Sequence, residues 1–203
     1  GMVMEKALKM GEANACMKRI VAAPTAGSCG VVPAVFLTLQ EERGFSEKQM
    51  VEAMYVAAGI GGVIASRAFL AGAAGGCQAE IGSASAMAAA ALAELCGASP
   101  AASLSAAAMA VKNILGLVCD PVAGLVECPC IKRNAMGAAN AVLAADMALA
   151  GISSIIPFDE VVGAMRSVGR LMNVDLRETA RGGLAATATA LEITKNISME
   201  NED

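Results

Sequence analysis

The sequence predicts an all-α protein, a compact bundle of about seven to nine alanine- and glycine-rich helices with one ordered, cysteine-bearing loop. Three observations predict it. Hydrophobic residues make up 56 % and charged residues 17 % of the 203, a composition that packs a core and excludes disorder as the overall state. Helix caps, first-turn prolines and terminating glycines recur along the chain. Runs of β-branched residues are confined to Val31-Val32 and Ile152 to Ile156. The apolar total is reached almost without aromatics, which make up 2 %; alanine, 21 Gly and 13 Met supply it. Such small side chains let helix axes approach closely, so burial is spread over many small contacts.

The elements follow in order. Apolar positions at mixed three and four spacing predict a first helix over Met4 to Val21. A loop, Ala23 to Gly30, precedes a helix that holds Pro33 in its first turn and runs to Glu42. Ser46 with Gln49 forms a capping-box pattern for a helix from Glu47 toward Leu70, with Gly59, Gly61 and Gly62 as weak or kinked points. Gly72 to Gly76 reads as a loop, Gln78 to Leu95 as a very alanine-rich helix. Ser99-Pro100 is a cap with a first-turn proline, opening a helix to Leu115. Leu117 to Ile131 carries two prolines and little periodicity and reads as an ordered loop. Asn134 is placed as the cap of a helix to Leu149, and Pro157 to Asp159 opens another to Met172. Asp175 and Glu178 form a second capping-box pattern; the helix it starts breaks at Gly182-Gly183 and resumes to Ile197. Residues 1–197 thus read as a single helical domain and 198–203 as a disordered tail. The methionines and the cysteines at 16 and 96 read as core.

Composition then removes function classes. There is no His, so no Ser-His-Asp triad, Cys-His dyad or His-ligated zinc can be completed within the chain. Net charge is −4 without a basic stripe, and aromatic stacking platforms are absent, which argues against nucleic acid as a partner. The longest uncharged stretch, Ile20 to Gln40, is interrupted by Pro24, Gly27, Gly30 and Pro33, so no membrane span is expected. Seven Cys is an odd number, and no secretory feature accompanies it. The expectation is a cytoplasmic protein with reduced thiols in ligand or catalytic roles.

Three segments are more polar and glycine-rich than a core requires. Ala23-Pro24-Thr25-Ala26-Gly27-Ser28-Cys29-Gly30 precedes a helix, so its N–H groups and the Thr25 and Ser28 hydroxyls suit a bound carboxylate or phosphate. A plain helix-start turn has the same composition. In Gly75-Gly76-Cys77-Gln78-Ala79-Glu80, a helix opening at Cys77 stabilises its thiolate through the dipole and sets Glu80 one turn on. A small buried Cys at a helix start fits equally. Cys119-Asp120-Pro121 through Cys128-Pro129-Cys130-Ile131-Lys132-Arg133-Asn134 puts three Cys on one proline-punctuated loop, with two basic residues to offset thiolate or anion charge. That density points to a metal or cluster, yet Cys128-Pro129-Cys130 is too tight for a CxxC zinc knuckle.

The strings APTAGSCGVVPAV (23–35), GGCQAEIGSASAMAAAAL (75–92) and CDPVAGLVECPCIKRNAMGAANA (119–141) closely resemble the catalytic α portion of bacterial iron–sulfur L-serine dehydratases. The resemblance implies that Cys77, Cys119 and Cys130 hold a 4Fe–4S cluster, with Cys128 a neighbour. Three thiolates leave one iron open, as Lewis-acid use requires. It further implies a reaction: elimination of water from L-serine to an aminoacrylate that yields pyruvate and ammonia. Within that reading Thr25, Ala26, Gly27 and Ser28 are the candidates for the substrate carboxylate, and Arg133 and Asn134 for orienting substrate or cluster. The catalytic base is left unassigned; within the chain only Lys, Asp, Glu or Cys is available for it.

The family's complete α subunits carry a substantial segment before the first helix seen here, and the enzyme uses a β domain or subunit. The expectation is therefore a cluster-ligating C-terminal portion of an α subunit, inactive alone, which needs that missing N-terminal segment and a β subunit and is open to homo-oligomer formation. The tail has no terminal cysteine, which points to the two-component type. The rival reading is a non-catalytic helical partner-binding domain with structural or zinc-binding thiols.

Overall fold

The computed structural model describes residues 1–200. Its helices are α1 (Met2–Ala15), α2 (Val31–Arg43), α3 (Glu47–Arg67), the single turn α4 (Gly72–Gly75), α5 (Cys77–Leu95), α6 (Pro100–Asn113), α7 (Cys130–Leu149), α8 (Phe158–Leu171) and α9 (Ala188–Glu200). Short 3-10 turns lie at Val122–Gly124, Val174–Leu176 and Gly183–Ala186. No strand is present among the described residues; one isolated parallel bridge pairs Cys119 with Arg177. The all-α expectation is met.

Helix α5 is the axis. Alanine on nearly every side lets α2, α3, α6 and α7 close around it, and its side chains from Cys77 to Ala93 are buried with Glu80 alone partly open. Close approach is visible at Gly137 of α7, where an added Cβ would sit 2.7 Å from Ile81 Cγ2. A polar tie crosses the same interface: Asn140 Nδ2 donates to Ala110 O at 2.8 Å and to Ser85 Oγ at 3.3 Å, and Asn113 Nδ2 donates to Asn140 Oδ1 at 2.7 Å. Each buried polar group in this tie is matched, which fixes the register of three otherwise similar alanine faces.

The Ser46–Gln49 capping box and the Ser99 cap with Pro100 form as expected, Ser99 Oγ accepting from Ala102 N at 3.3 Å. Helix α3 runs unbroken through its glycines; a Cβ on Gly61 would lie 3.0 Å from the Met87 sulfur of α5, whereas Gly59 and Gly62 face open space. By length and composition α3 is also apolar enough to cross a membrane, with 33 % of its most hydropathic window buried in the fold.

Several boundaries differ from expectation. Helix α1 ends at Ala15, not Val21: Lys18 N reaches back to Ala13 O at 2.8 Å and Met17 takes φ +56°, a left-handed stop. Residues 72–75 make a helical turn, not a loop. Helix α7 begins at Cys130, so Asn134 is not its cap; its carboxamide is used elsewhere. The Asp175–Glu178 capping box does not form. Asn173 caps a 3-10 turn instead, its Oδ1 accepting from Asp175 N at 3.0 Å, and Glu178 adopts φ +61°. Helix α9 continues through Ser198 to Glu200, where a disordered tail was expected; 201–203 lie outside the described residues. Cys16 and Cys96 are exposed, not core, since both fall on the capping residue just past α1 and α5. Of the methionines, Met50, Met87, Met109 and Met165 are buried, whereas Met2, Met4, Met17, Met54, Met136 and Met199 are exposed.

Candidate active site

The site starts at the N-terminus of α5. Gly76 takes φ +77°, and an added Cβ would lie 2.7 Å from both Leu117 O and the Met172 thioether, so this turn is restricted to glycine. The turn delivers Cys77 as the first helical residue, its sulfur at the positive end of the helix dipole. Gln78, fully buried, staples the turn: Nε2 donates to Gly75 O at 3.0 Å and Met165 O at 3.1 Å, and Oε1 accepts from Gly116 N at 2.9 Å.

Cys119 comes to Cys77 from the loop after α6. It is held in line by Leu176 O, which accepts from Cys119 N at 2.9 Å, and by Glu178 N, which donates to Cys119 O at 2.7 Å. The two sulfurs and a Glu80 carboxylate oxygen lie within 4.8 Å of one another, with both cysteines buried. Small residues make this crowding possible. A Cβ on Gly72 would sit 2.7 Å from Cys119 Sγ, and one on Gly27 would sit 2.7 Å from Glu80 Oε1.

The Ala23–Gly30 loop closes over Glu80. Thr25 Oγ1 donates to Glu80 Oε1 at 2.6 Å and lies 3.0 Å from Ser28 Oγ. The main-chain N–H groups of Ala26, Gly27 and Ser28 have no protein acceptor among the described residues. Asn134, 1 % exposed, ties this loop to α7: Oδ1 accepts from Gly30 N at 2.8 Å, and Nδ2 donates to Gly27 O at 2.8 Å and Cys130 O at 3.0 Å. Arg133 reaches the other side of the thiol pair. One guanidinium nitrogen donates to Val118 O at 2.8 Å and lies 3.5 Å from Cys77 Sγ; the other pairs with Asp120 Oδ1 at 2.8 Å.

Charge is distributed unequally. The Cys77 thiol is held below its ordinary value by the hydrogen bond from Cys119, against burial and with help from Arg133. Cys119 is pushed far up by giving that bond and by burial, so of the two thiols Cys77 is the one that ionises first. Burial, then the Cys77 charge, pushes Cys130 up to about 12. Glu80 is raised by burial, and the Thr25 hydrogen bond opposes the rise. The arrangement is a buried thiol pair, a carboxyl of raised pKa and one guanidinium, under a loop with free N–H donors.

Residues 1–185 match the family described as "Serine dehydratase alpha chain". The chain belongs to that family. It is 56 % identical over 194 residues to the "Probable L-serine dehydratase, alpha chain" of Bacillus subtilis (strain 168), covering 96 % of this chain and 65 % of that one. It is 50 % identical over 199 residues to the "L-serine dehydratase, alpha chain" of Peptoniphilus asaccharolyticus, covering 98 % and 68 %. With "L-serine dehydratase 2" of Escherichia coli (strain K12) it shares 46 % over 188 residues, covering 92 % of this chain and 41 % of that one. The chain therefore spans about two thirds of the first two relatives and less than half of the third.

Against the sites read from sequence, this member of the family brings Cys77 and Cys119 together with Glu80, and Thr25 and Gly27 against Glu80. Cys130 stands at the head of α7, partly exposed and close enough to feel the Cys77 charge, but outside the tight group. Cys128 is exposed, and Cys29 is buried with its thiol 3.6 Å from Met10 O. Sequence reasoning missed Gln78 and Asp120 as site-building residues. The available signal for Asp120 was a lone acid between Cys119 and Pro121, in an apolar loop shortly before Lys132-Arg133. Two buried thiols, a third beside them and a guanidinium to balance their charge form a donor set that suits iron or another thiophilic metal.

Proposed function

We propose that this chain is a component of a 4Fe–4S-dependent L-serine dehydratase, a cytoplasmic lyase that removes water from L-serine to give pyruvate and ammonia. The observation that carries this reading is the buried Cys77–Cys119 pair beside Glu80, roofed by the Thr25–Ser28 loop. Cys77, Cys119 and Cys130 would hold the cluster. When bound, the cluster supplies an open iron that acts as a Lewis acid toward the substrate hydroxyl.

The chain's own residues supply the rest. The free N–H groups of Ala26, Gly27 and Ser28 bind the substrate carboxylate with the Ser28 hydroxyl beside them, while the Thr25 hydroxyl, donated to Glu80, holds the loop in place. Asn134 spends its carboxamide on Gly30, Gly27 and Cys130, so it orients the loop and not the substrate directly. Arg133 balances the thiolate charge through Cys77. Glu80, between loop and thiols with its raised pKa, is the group in this chain best placed to hold or release a proton at its carboxylate. The remaining α segment, a β subunit and any homo-oligomer contacts complete the enzyme, and the chain alone is inactive.

Anaerobic addition of iron and sulfide to the purified chain tests this. A broad visible absorption band should appear, and joint replacement of Cys77, Cys119 and Cys130 by Ser should abolish it, whereas Cys16→Ser and Cys96→Ser leave it intact. Thr25→Ala in the assembled enzyme should raise KM more than it lowers kcat; the reverse sinks the binding role of the loop. A second reading is favoured by one observation: Cys77, Glu80 and Cys119 are compact enough to hold a single ion such as zinc. That reading, a non-catalytic helical partner-binding domain, predicts zinc uptake without iron.

A further inference from the structure

Asp120 follows Cys119 directly and is 3 % exposed. Its two carboxylate oxygens are committed in opposite directions. Oδ1 pairs with Arg133 at 2.8 Å, and that guanidinium also bonds Val118 O at 2.8 Å and lies 3.5 Å from Cys77 Sγ. Oδ2 accepts from Leu184 N at 2.8 Å. The neighbouring Gly183 takes φ +61°, and an added Cβ would stand 2.5 Å from Asp120 Oδ2, so glycine is needed for the carboxylate to reach the Leu184 N–H.

The segment seated by that bond is the C-terminal one. Helix α9 packs chiefly on the Val122–Gly124 turn and the Gly183–Ala186 turn, not on the α5 bundle. Upstream, Leu176 and Glu178 exchange main-chain hydrogen bonds with Cys119 at 2.9 Å and 2.7 Å, which keeps Cys119 at 2 % exposure. Removing one partner of a buried charge pair is far more disruptive than removing an exposed one, so Asp120 is a point where both halves respond together.

We propose that Asp120 is a positioning residue that couples the C-terminal segment to the thiol pair: one carboxylate oxygen holds Arg133 against Cys77 while the other holds the Gly183–Leu184 backbone over the Cys119 loop. The coupling is a property of the metal-free chain. Its relevance to catalysis rests on the dehydratase reading.

The test uses the metal-free 203-residue chain with Asp120→Asn and Gly183→Ala, two changes on opposite sides of the same contact. Leu184→Pro, which deletes the N–H donor, stands in for either variant that fails to fold. Both variants should speed amide exchange across Gly182–Thr187 by roughly tenfold or more and leave α5 amides unchanged. Iodoacetamide labelling of Cys119, read by peptide mass spectrometry, should rise by a similar factor in both. The proposal is overturned by unchanged exchange, by exchange that rises equally in α5, or by faster exchange with Cys119 labelling unchanged in Gly183→Ala. Iron and sulfide uptake by the unaltered chain is measured alongside. Its failure overturns the cluster reading alone, because exchange and labelling are read without metal.

Discussion

Replacing Asn134 by Ala should cost more stability than any other single polar substitution in the loop-to-helix contact. The side chain makes two bonds that cross more than a hundred residues of sequence, from Gly30 N and to Gly27 O, both at 2.8 Å. Its third bond, to Cys130 O, is the least consequential, because the first turn of α7 already offers that carbonyl a main-chain partner. Alanine leaves the Gly30 N–H and the Gly27 carbonyl unpaired where water has little access. At about 1–3 kcal/mol for each buried group left unpaired, the loss is roughly 2–6 kcal/mol. A domain of this size is stable by about 5–15 kcal/mol in total, so urea unfolding followed by circular dichroism should show a large fall in midpoint with an unchanged slope. The melting temperature should drop by at least about 4 °C. Asn134→Asp sharpens the test. A neutral Asp can both accept from Gly30 and donate to Gly27; a charged one sets a carboxylate against two carbonyls. Its deficit should therefore shrink as pH falls through the carboxylate range. A loss below about 0.5 kcal/mol for Asn134→Ala would refute the reasoning, since that is the scatter of inconsequential surface changes.

Three further outcomes are expected. Ser46→Ala removes the side-chain half of the capping box of α3 and should cost about 1 kcal/mol in chemical unfolding, with no effect on iron uptake. Gly27→Ala places a methyl 2.7 Å from Glu80 Oε1 and should break the Thr25–Glu80 bond, costing about 1–3 kcal/mol and shifting KM in the assembled enzyme. Glu80 has a raised pKa in the folded state, so its folded form holds the proton more tightly than the unfolded chain does. Its stabilising contribution is complete below the unfolded carboxylate value of about 4.3 and is lost as pH rises through the folded value. Unfolding of the metal-free chain across that window should show this loss, and Glu80→Gln should flatten it.

Much of the helical framework was legible because its signals are local. Ser46 with Gln49 and Ser99 with Pro100 are caps whose chemistry needs only a few consecutive residues, and both form. Two of the misplaced boundaries share a cause. Asn134 and Asp175 look like caps by residue type, but cap-competent side chains also bond at a distance, and tertiary demand decided both. Asn134 is drawn to Gly30 and Gly27; at 175 the chain turns to lay Leu176 and Glu178 along Cys119. Of the two thiols the structure brings together, Cys119 belongs to the loop whose density of cysteines is hard to explain by packing, and Cys77 to a glycine-rich helix start. Gln78 and Asp120 were not legible, because nothing in their neighbourhood distinguishes a buried amide or acid from a solvated one until the third dimension supplies Met165, Arg133 and Leu184.

The small residues that make the composition odd do two jobs with one property. In the bundle, Gly61 lets α3 sit close against Met87, and Gly137 against Ile81 brings α7 onto α5 at a distance a larger side chain forbids. At the end of the same helix, Gly27 against Glu80, Gly72 against Cys119 and Gly183 against Asp120 bring three separate stretches of backbone onto the reactive groups. The site lies where α5 begins and main chain, not side chain, must approach most closely. A thiol pair wrapped in this way is shielded with few aromatic side chains, and its surroundings are hydrogen-bonded main chain and matched charge. Its environment is consequently set by where the Ala23–Gly30 loop and the Gly182–Leu184 turn are seated. Those seats depend on two side chains, Asn134 and Asp120, one on each side of the pair.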